Sequence, residues 1–184
     1  MFRYDFIMAD PPWSFKTYSA KGQEKSASSQ YSVMDGGSIN SLPVGSLASP
    51  DCLLWLWVTN PMLREGIACL EAWGFTFKTA GHWVKRGASG KLAFGTGYVL
   101  RSAGEPFLIG AIGKPKTTRS VRSVIEGPRR EHSRKPDEAY AAAQALMPDA
   151  KRLDLFAREH RAGWDTFGNE AEKFGAMRDD SRGD

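Results

Sequence analysis

The chain has 184 residues, a formal net charge of +4, 41% apolar and 25% charged residues. That length suits one domain with a full core, and the composition excludes a disordered or collagen-like chain. The longest apolar run, Leu53 to Val58, is far too short to span a membrane, and no secretory leader is legible, so a cytoplasmic protein is expected. Cys52 and Cys69 sit in apolar surroundings and read as reduced core residues. The three histidines fall in no ligand spacing, so no metal site is expected.

Arg3 to Ala9 is apolar and stops at Pro11-Pro12, which predicts a buried first strand. Ser14 to Asn40 is rich in Ser, Gly, Lys and Gln and predicts a long mobile loop with a helical turn near Gly37. Asp51 to Thr59, "DCLLWLWVT", predicts a central parallel strand. A helix should follow, with Asn60 as N-cap, Pro61 in the first position, Leu63, Ile67 and Leu70 on one face, and Gly74 at its end. Phe75 to Lys85 alternates like a strand, Arg86 to Ala103 holds a glycine-rich loop, and Glu105 to Ile112 is strand-like.

Gly113 to Lys135 carries eight Lys and Arg against two Glu and reads as a basic loop. Pro136 should open a helix whose first turn holds Asp137 and Glu138. Strands are expected at Lys151 to Ala157 and ending at Gly168, then a polar tail that frays from Ala171. Residues 1–170 are thus expected to form one domain. Strands alternating with helices predict an α/β fold with a mostly parallel sheet and helices on both faces. Ligands in such sheets bind beyond the carboxyl ends of the strands, where Asp10 to Trp13, Thr59-Asn60 and Arg158 to His160 all fall.

The peptide Asp10-Pro11-Pro12-Trp13 combines a carboxylate with stiff carbonyl acceptors, because proline fixes φ and has no N–H. Such an array suits an amino group carrying two N–H donors. Trp13 adds a flat face on which a planar base could stack, worth about 1–3 kcal/mol in single-strand binders. The residues alone leave a plainer reading open, a strand terminator with Trp13 in the core.

The tetrapeptide after an apolar strand resembles the signature of the amino-group methyltransferases acting on adenine N6. The wider chain resembles the MT-A70 family, which includes the catalytic subunit of the eukaryotic mRNA adenosine methyltransferase and many bacterial and phage DNA enzymes. The similarity runs through "LLWLWVTN" at Leu53 to Asn60, "LEAWGF" at Leu70 to Phe75, "HWVK" at His82 to Lys85, "HSRKPDEAY" at His132 to Tyr140 and "LDLFAREHRAGWDTFGNE" at Leu153 to Glu170. It covers nearly the whole chain, with the catalytic motif first and the cofactor segment last, the circularly permuted order.

The resemblance implies a Rossmann-like methyltransferase using S-adenosylmethionine. Asp10 and the Pro11 carbonyl would hold the target amine, with Pro12 and Trp13 completing the catalytic motif. The family pattern maps Arg158 and His160 near the amino-acid moiety or ribose, and Asn169 and Glu170 onto the ribose hydroxyls. Departures accompany the match. Asn169-Glu170 stands where the mRNA enzymes have Asn-Gln. Gly104 stands where they have a lysine, for which Arg101 is a substitute. The adenine side falls to another segment, for which Ser133 to Lys135 is the candidate.

A paired base hides its amine, so the substrate must be flipped or single-stranded. Expected contacts are Trp13, Tyr18 and Tyr31, together with Lys114, Lys116, Arg119, Arg122, Arg129 and Arg130 of the basic segment. With no separate recognition domain legible, a short or relaxed sequence preference in DNA is expected, from a monomer or homodimer. RNA adenosine is the alternative substrate. A catalytically inactive nucleic-acid-binding partner subunit would lack Asp10 or Trp13, and a protein-glutamine methyltransferase would carry Asn first and Tyr last in the tetrapeptide.

Overall fold

The computed structural model describes residues 3–13, 34–131 and 134–168. Two strands buried on both faces form its centre. Strand β1 (Tyr4–Ala9) turns Phe6 and Met8 to one side and Ile7 and Ala9 to the other. Strand β2 (Ala48–Trp57) likewise divides Leu53, Trp55 and Trp57 from Cys52, Leu54 and Leu56. That is why its sequence is continuously apolar rather than alternating.

Five further strands complete the sheet among the described residues: β3 (Thr76–Arg86), β4 (Gly104–Ile112), β5 (Val124–Pro128), β6 (Arg152–Leu155) and β7 (Asp165–Phe167). The order is β5-β3-β4-β2-β1-β6-β7. The β1–β2, β1–β6, β6–β7 and β3–β5 pairs are parallel, whereas β4 runs antiparallel to both β2 and β3. The sheet is therefore mixed. Residues 87–103 join β3 to β4 with no helix between, and the chain returns antiparallel, whereas a parallel return usually crosses over through a helix.

Helix α1 (Gly36–Asn40) is the turn expected near Gly37, and its Asp35 cap accepts a hydrogen bond from the Ser38 amide at 2.9 Å. Helix α2 (Leu63–Ala72) packs with α1 on the Ile7 side. A Cβ on Gly66 would lie 2.4 Å from Val58 Cγ1, and one on Gly110 would lie 2.8 Å from Leu70 Cδ1, so both positions must be bare for α2 to lie so close. Helix α3 (Asp137–Leu146) covers the other face, where Ala139, Tyr140 and Ala143 meet Phe6, Met8 and Trp164. On that face Trp55 stacks on Phe107 across the β2–β4 pair, with centroids 4.0 Å apart.

Several details differ from expectation. Asn60 is no N-cap: it begins a short 3-10 turn (Asn60–Met62) preceded by Thr59, with no side-chain cap. Pro136 occupies the cap position of α3 rather than its first turn. Strand β5 lies inside the segment read as a basic loop. Most of the long loop (residues 14–33), and the tail from Ala171, lie outside the described residues. Among those described, no helix is long and apolar enough to cross a membrane. Cys52 and Cys69 are buried free thiols that burial pushes up to about 12.

Candidate active site

Because β1, β2 and β6 are parallel, Ala9, Trp57 and Leu155 end at one rim. The reversed β4 starts at that rim with Gly104-Glu105, and β3 reaches it with Lys85 and Arg86. Topology alone thus gathers Asp10, Lys85 and Glu105, which lie far apart in sequence.

Lys135, just before α3, completes the cluster. Its Nζ lies 2.8 Å from Asp10 Oδ2 and 2.9 Å from Glu105 Oε1, and Lys85 Nζ lies 2.9 Å from Glu105 Oε2. Lys135 is only 7% exposed and lies 5.4 Å from the centre of the Trp57 ring. The result is a partly buried row of alternating charge: Asp10, Lys135, Glu105, Lys85. Burial works against the charge on each carboxylate. Glu105 has two ammonium partners, Lys135 and Lys85, and is held down to about 2. Asp10 shares one of them, so burial, reinforced by the neighbouring Glu105, raises its pKa against the pull of Lys135 and Arg158. Burial opposes the Lys135 charge too, but its two carboxylates outweigh that and raise its pKa.

The tetrapeptide is tied down at each step. The Asp10 amide donates to Leu155 O at 3.2 Å, and the Trp13 amide donates back to Pro11 O at 2.8 Å. The Met34 amide donates to Pro12 O at 3.1 Å. Trp13 is 4% exposed, packs with Ile39 and Val58, and donates from Nε1 to Trp57 O at 2.8 Å. It is a core residue here, so the expected open stacking face is absent. The indole N–H needed an acceptor, and the end of β2 supplied one. A carbonyl oxygen has two lone pairs, so Pro11 O retains one for a ligand.

Beside Asp10 a small open cleft lies over the end of β6, lined by Lys135, Tyr140, Asp154, Arg158 and Glu159 among others. Tyr140 donates to Asp154 at 2.8 Å, and burial pushes the Asp154 carboxyl up to about 7. Glu159 accepts from Arg134 at 3.1 Å and also pairs with Arg161. Both cations and carboxylates line this cleft, a lining of mixed charge that suits a zwitterionic group. No group of His, Cys, Asp and Glu among the described residues could hold a metal ion.

The MT-A70 family profile matches residues 4–170, from β1 through the segment after β7. The chain belongs to the MT-A70 family. It is 36% identical over 172 residues to an Arabidopsis thaliana N(6)-adenosine-methyltransferase MT-A70-like protein, covering 91% of this chain and 24% of that one. It is 30% identical to the N(6)-adenine-specific methyltransferase METTL4 of Homo sapiens, covering 93% of this chain and 38% of that one. With the type II methyltransferase M.MunI of Mycoplasma sp it shares 29% identity over 91% of this chain and 78% of M.MunI. The chain thus spans about a quarter of the plant relative's length.

Within this MT-A70 fold the expected site residues separate into three groups. Asp10, Pro11, Pro12, Lys135 and Arg158 come together at the rim. Tyr18, Tyr31, Ser133, Asn169 and Glu170 lie outside the described residues. His160 is exposed at the side, its Nδ1 2.5 Å from Thr166 Oγ1 of β7.

The basic segment is split. Residues 113–123 leave the far end of β4 and return to the start of β5, where Val124 pairs with His82, so Lys114 and Lys116 lie at the opposite rim and Arg122 lies on the way back towards the site. The Lys114 amide donates to Asp51 Oδ1 at the start of β2, and Thr118 N–H to Leu146 O at the end of α3. Strand β4 alone would separate Lys114 and Lys116 from Asp10 by about 30 Å. They do not flank the site as expected. Arg129 and Arg130 do reach the Asp10 rim, but Arg130 pairs with Asp137. Arg101 stands over Phe94 rather than in the cleft. Glu105 and Lys85 had no assigned role in the sequence, because an acid that opens a strand reaches this rim only if the strand is reversed.

Proposed function

We propose that this chain is an S-adenosylmethionine-dependent methyltransferase acting on the N6 amino group of adenine in DNA, with a short or relaxed sequence preference. The observation that carries the reading is Asp10 at the carboxyl end of β1, hydrogen-bonded to buried Lys135 beside a cleft of mixed charge. The family match supports the chemistry, and M.MunI, a type II methyltransferase of which this chain covers 78%, favours DNA. The adenosine-methyltransferase relatives make RNA adenosine the second reading.

The cleft is proposed for the amino-acid end of the methyl donor: Lys135 and Arg158 would suit its carboxylate, and Asp10 its ammonium. Ser133, Asn169 and Glu170 are proposed for its adenosine end. When bound, the donor supplies an electrophilic methyl group on a sulfonium centre. Asp10 Oδ1 and the Pro11 carbonyl accept the two N–H bonds of the target amine. That holds its lone pair out of the ring plane and along the line of attack, so positioning carries much of the rate. The donor would supply the methyl group to the amine nitrogen so held and would retain the electron pair of the bond it loses. The surplus N–H proton passes to Asp10, whose raised pKa suits the task. Lys135 keeps Asp10 oriented and shields it from Glu105.

The test is to supply radiolabelled donor with matched single-stranded DNA, duplex DNA and RNA, then digest to nucleosides. Label in N6-methyldeoxyadenosine supports the reading, and label only in N6-methyladenosine moves it to RNA. No label in any nucleic acid, alongside tight donor binding, would sink it. Asp10→Ala should abolish transfer while leaving a folded protein; a near-normal rate would refute the role of Asp10.

A further inference from the structure

Residues 87–103 rise between β3 and β4 from the rim that carries Asp10. Their base is well ordered by hydrogen bonds. Lys85 N–H donates to Ala103 O at 2.9 Å, Ala93 N–H to Lys85 O at 2.8 Å, and Gly95 N–H to Ser102 O at 2.8 Å. The tip is tight, because a Cβ on Gly97 would lie 2.2 Å from Leu100 O. On this scaffold stand Leu92, Phe94, Val99 and Leu100, all exposed, with Phe94 at 75% and Leu100 at 78%. A contiguous group of large apolar side chains in water marks a contact surface.

Charge selects the partner. The stretch from Arg86 to Ala103 contains no Asp or Glu; Arg86 pairs with Glu126 of β5 at 3.0 Å, and the other cations of the stretch are Lys91 and Arg101. The Arg101 guanidinium lies 4.6 Å from the centre of the Phe94 ring, and the Arg129 amide donates to Arg86 O at 2.8 Å, which brings a further cation beside the base. A second copy docking here about a two-fold axis would set these cations against themselves with no carboxylate in the segment. A polyanion with flat apolar faces answers both features. Phosphate contacts are needed on this rim, because Lys114 and Lys116 lie on the other one. Strand β3 stands three strands from β1, about 14 Å, or roughly four nucleotides of one strand.

We infer that residues 87–103 form a nucleic-acid-binding surface, with Phe94 stacking on an exposed base and Lys91, Arg101 and Arg129 meeting phosphates. The inference rests on the adenine-methyltransferase reading and adds the surface that presents the strand to Asp10. The experiment uses the full chain and a fluorescent, adenine-containing single-stranded oligonucleotide. Kd is measured by anisotropy between about 50 and 200 mM salt, and methyl transfer is followed on the same strand.

Phe94→Ala should raise Kd about tenfold, whereas Phe94→Trp should bind like the parent. Lys91→Ala with Arg101→Ala should lower the slope of log Kd against log salt by about 1.4. For each variant kcat at saturating oligonucleotide should stay within about twofold, since a loss of remote binding shows in KM. If the parent methylates the strand and these variants leave Kd and slope unchanged, the loop inference falls and the activity stands. A parent that neither binds nor methylates nucleic acid overturns both. A parent dimer that Phe94→Ala splits without changing Kd would make the surface a self-association site and overturn the inference.

Discussion

Replacing Lys135 by methionine tests the centre of the site, because it keeps the apolar stem and removes the ammonium. Lys135 is 7% exposed and sits between Asp10 and Glu105, whose side chains are 18% and 15% exposed. Without it two buried carboxylates face one another, and Lys85 remains on Glu105 alone. Removing one partner of a buried pair costs about 3–5 kcal/mol. For a chain of this length that is a fall in Tm of about 6–20 °C.

The pH dependence should separate a lost charge from lost packing. In the parent, Glu105 is held at about 2, below its ordinary 4.5, so its contribution is fully present above about pH 4.5 and is lost only as pH falls through about 2. In the variant, burial and mutual repulsion raise the two carboxyls above their unfolded values, and stability is then lost as pH rises. The deficit against the parent should therefore be larger at about pH 8 than at about pH 5. Urea unfolding followed by tryptophan fluorescence measures it. An unchanged midpoint at the higher pH, or the same deficit at both, would refute the reading of Lys135 as the shared counter-ion.

Asp154, pushed up to about 7 by burial, contributes stability that is present below about 3.8 and lost as pH rises through about 7. Asp154→Asn should match the parent near pH 4 and exceed it in urea midpoint near pH 8; equal midpoints at both would count against the buried, neutral acid. Trp13→Phe removes the indole bond to Trp57 O and should cost about 1 kcal/mol, whereas Trp13→Ala should cost about 3–5 kcal/mol. If both variants unfold like the parent while KM for an oligonucleotide rises, Trp13 is a stacking face after all.

The elements that could be read from sequence were those whose burial pattern is written in consecutive residues. Strands β1 and β2 are buried on both faces, and α3 pairs an acidic first turn with alanine packing. Strand β5 escaped because an edge strand buries only alternate residues, here Ile125 and Gly127, and its neighbours are charged. The direction of β4 leaves no mark in composition, and that direction decides the site. Asp10 and Lys135 were legible as motif residues, but Glu105 joins them only through the reversal. Net charge in residues 113–135 was counted correctly, yet nothing in the count tells that β5 divides it between two rims. Of the two readings its sequence leaves open, Trp13 takes the core one here, because its N–H reaches a carbonyl 44 residues away that no local pattern marks.

The hydrogen bond from Met34 N–H to Pro12 O, with the bridge between Trp13 and Met34, sets the points where the chain leaves and re-enters the described fold side by side. Closure is thus fixed by residues already held in the core, and the length of what lies between enters only logarithmically. Doubling it costs about 0.6 kcal/mol of closure entropy. Strand β1 is therefore insulated from changes in chain length between Trp13 and Met34, and segments of differing length could be exchanged there without retuning Asp10.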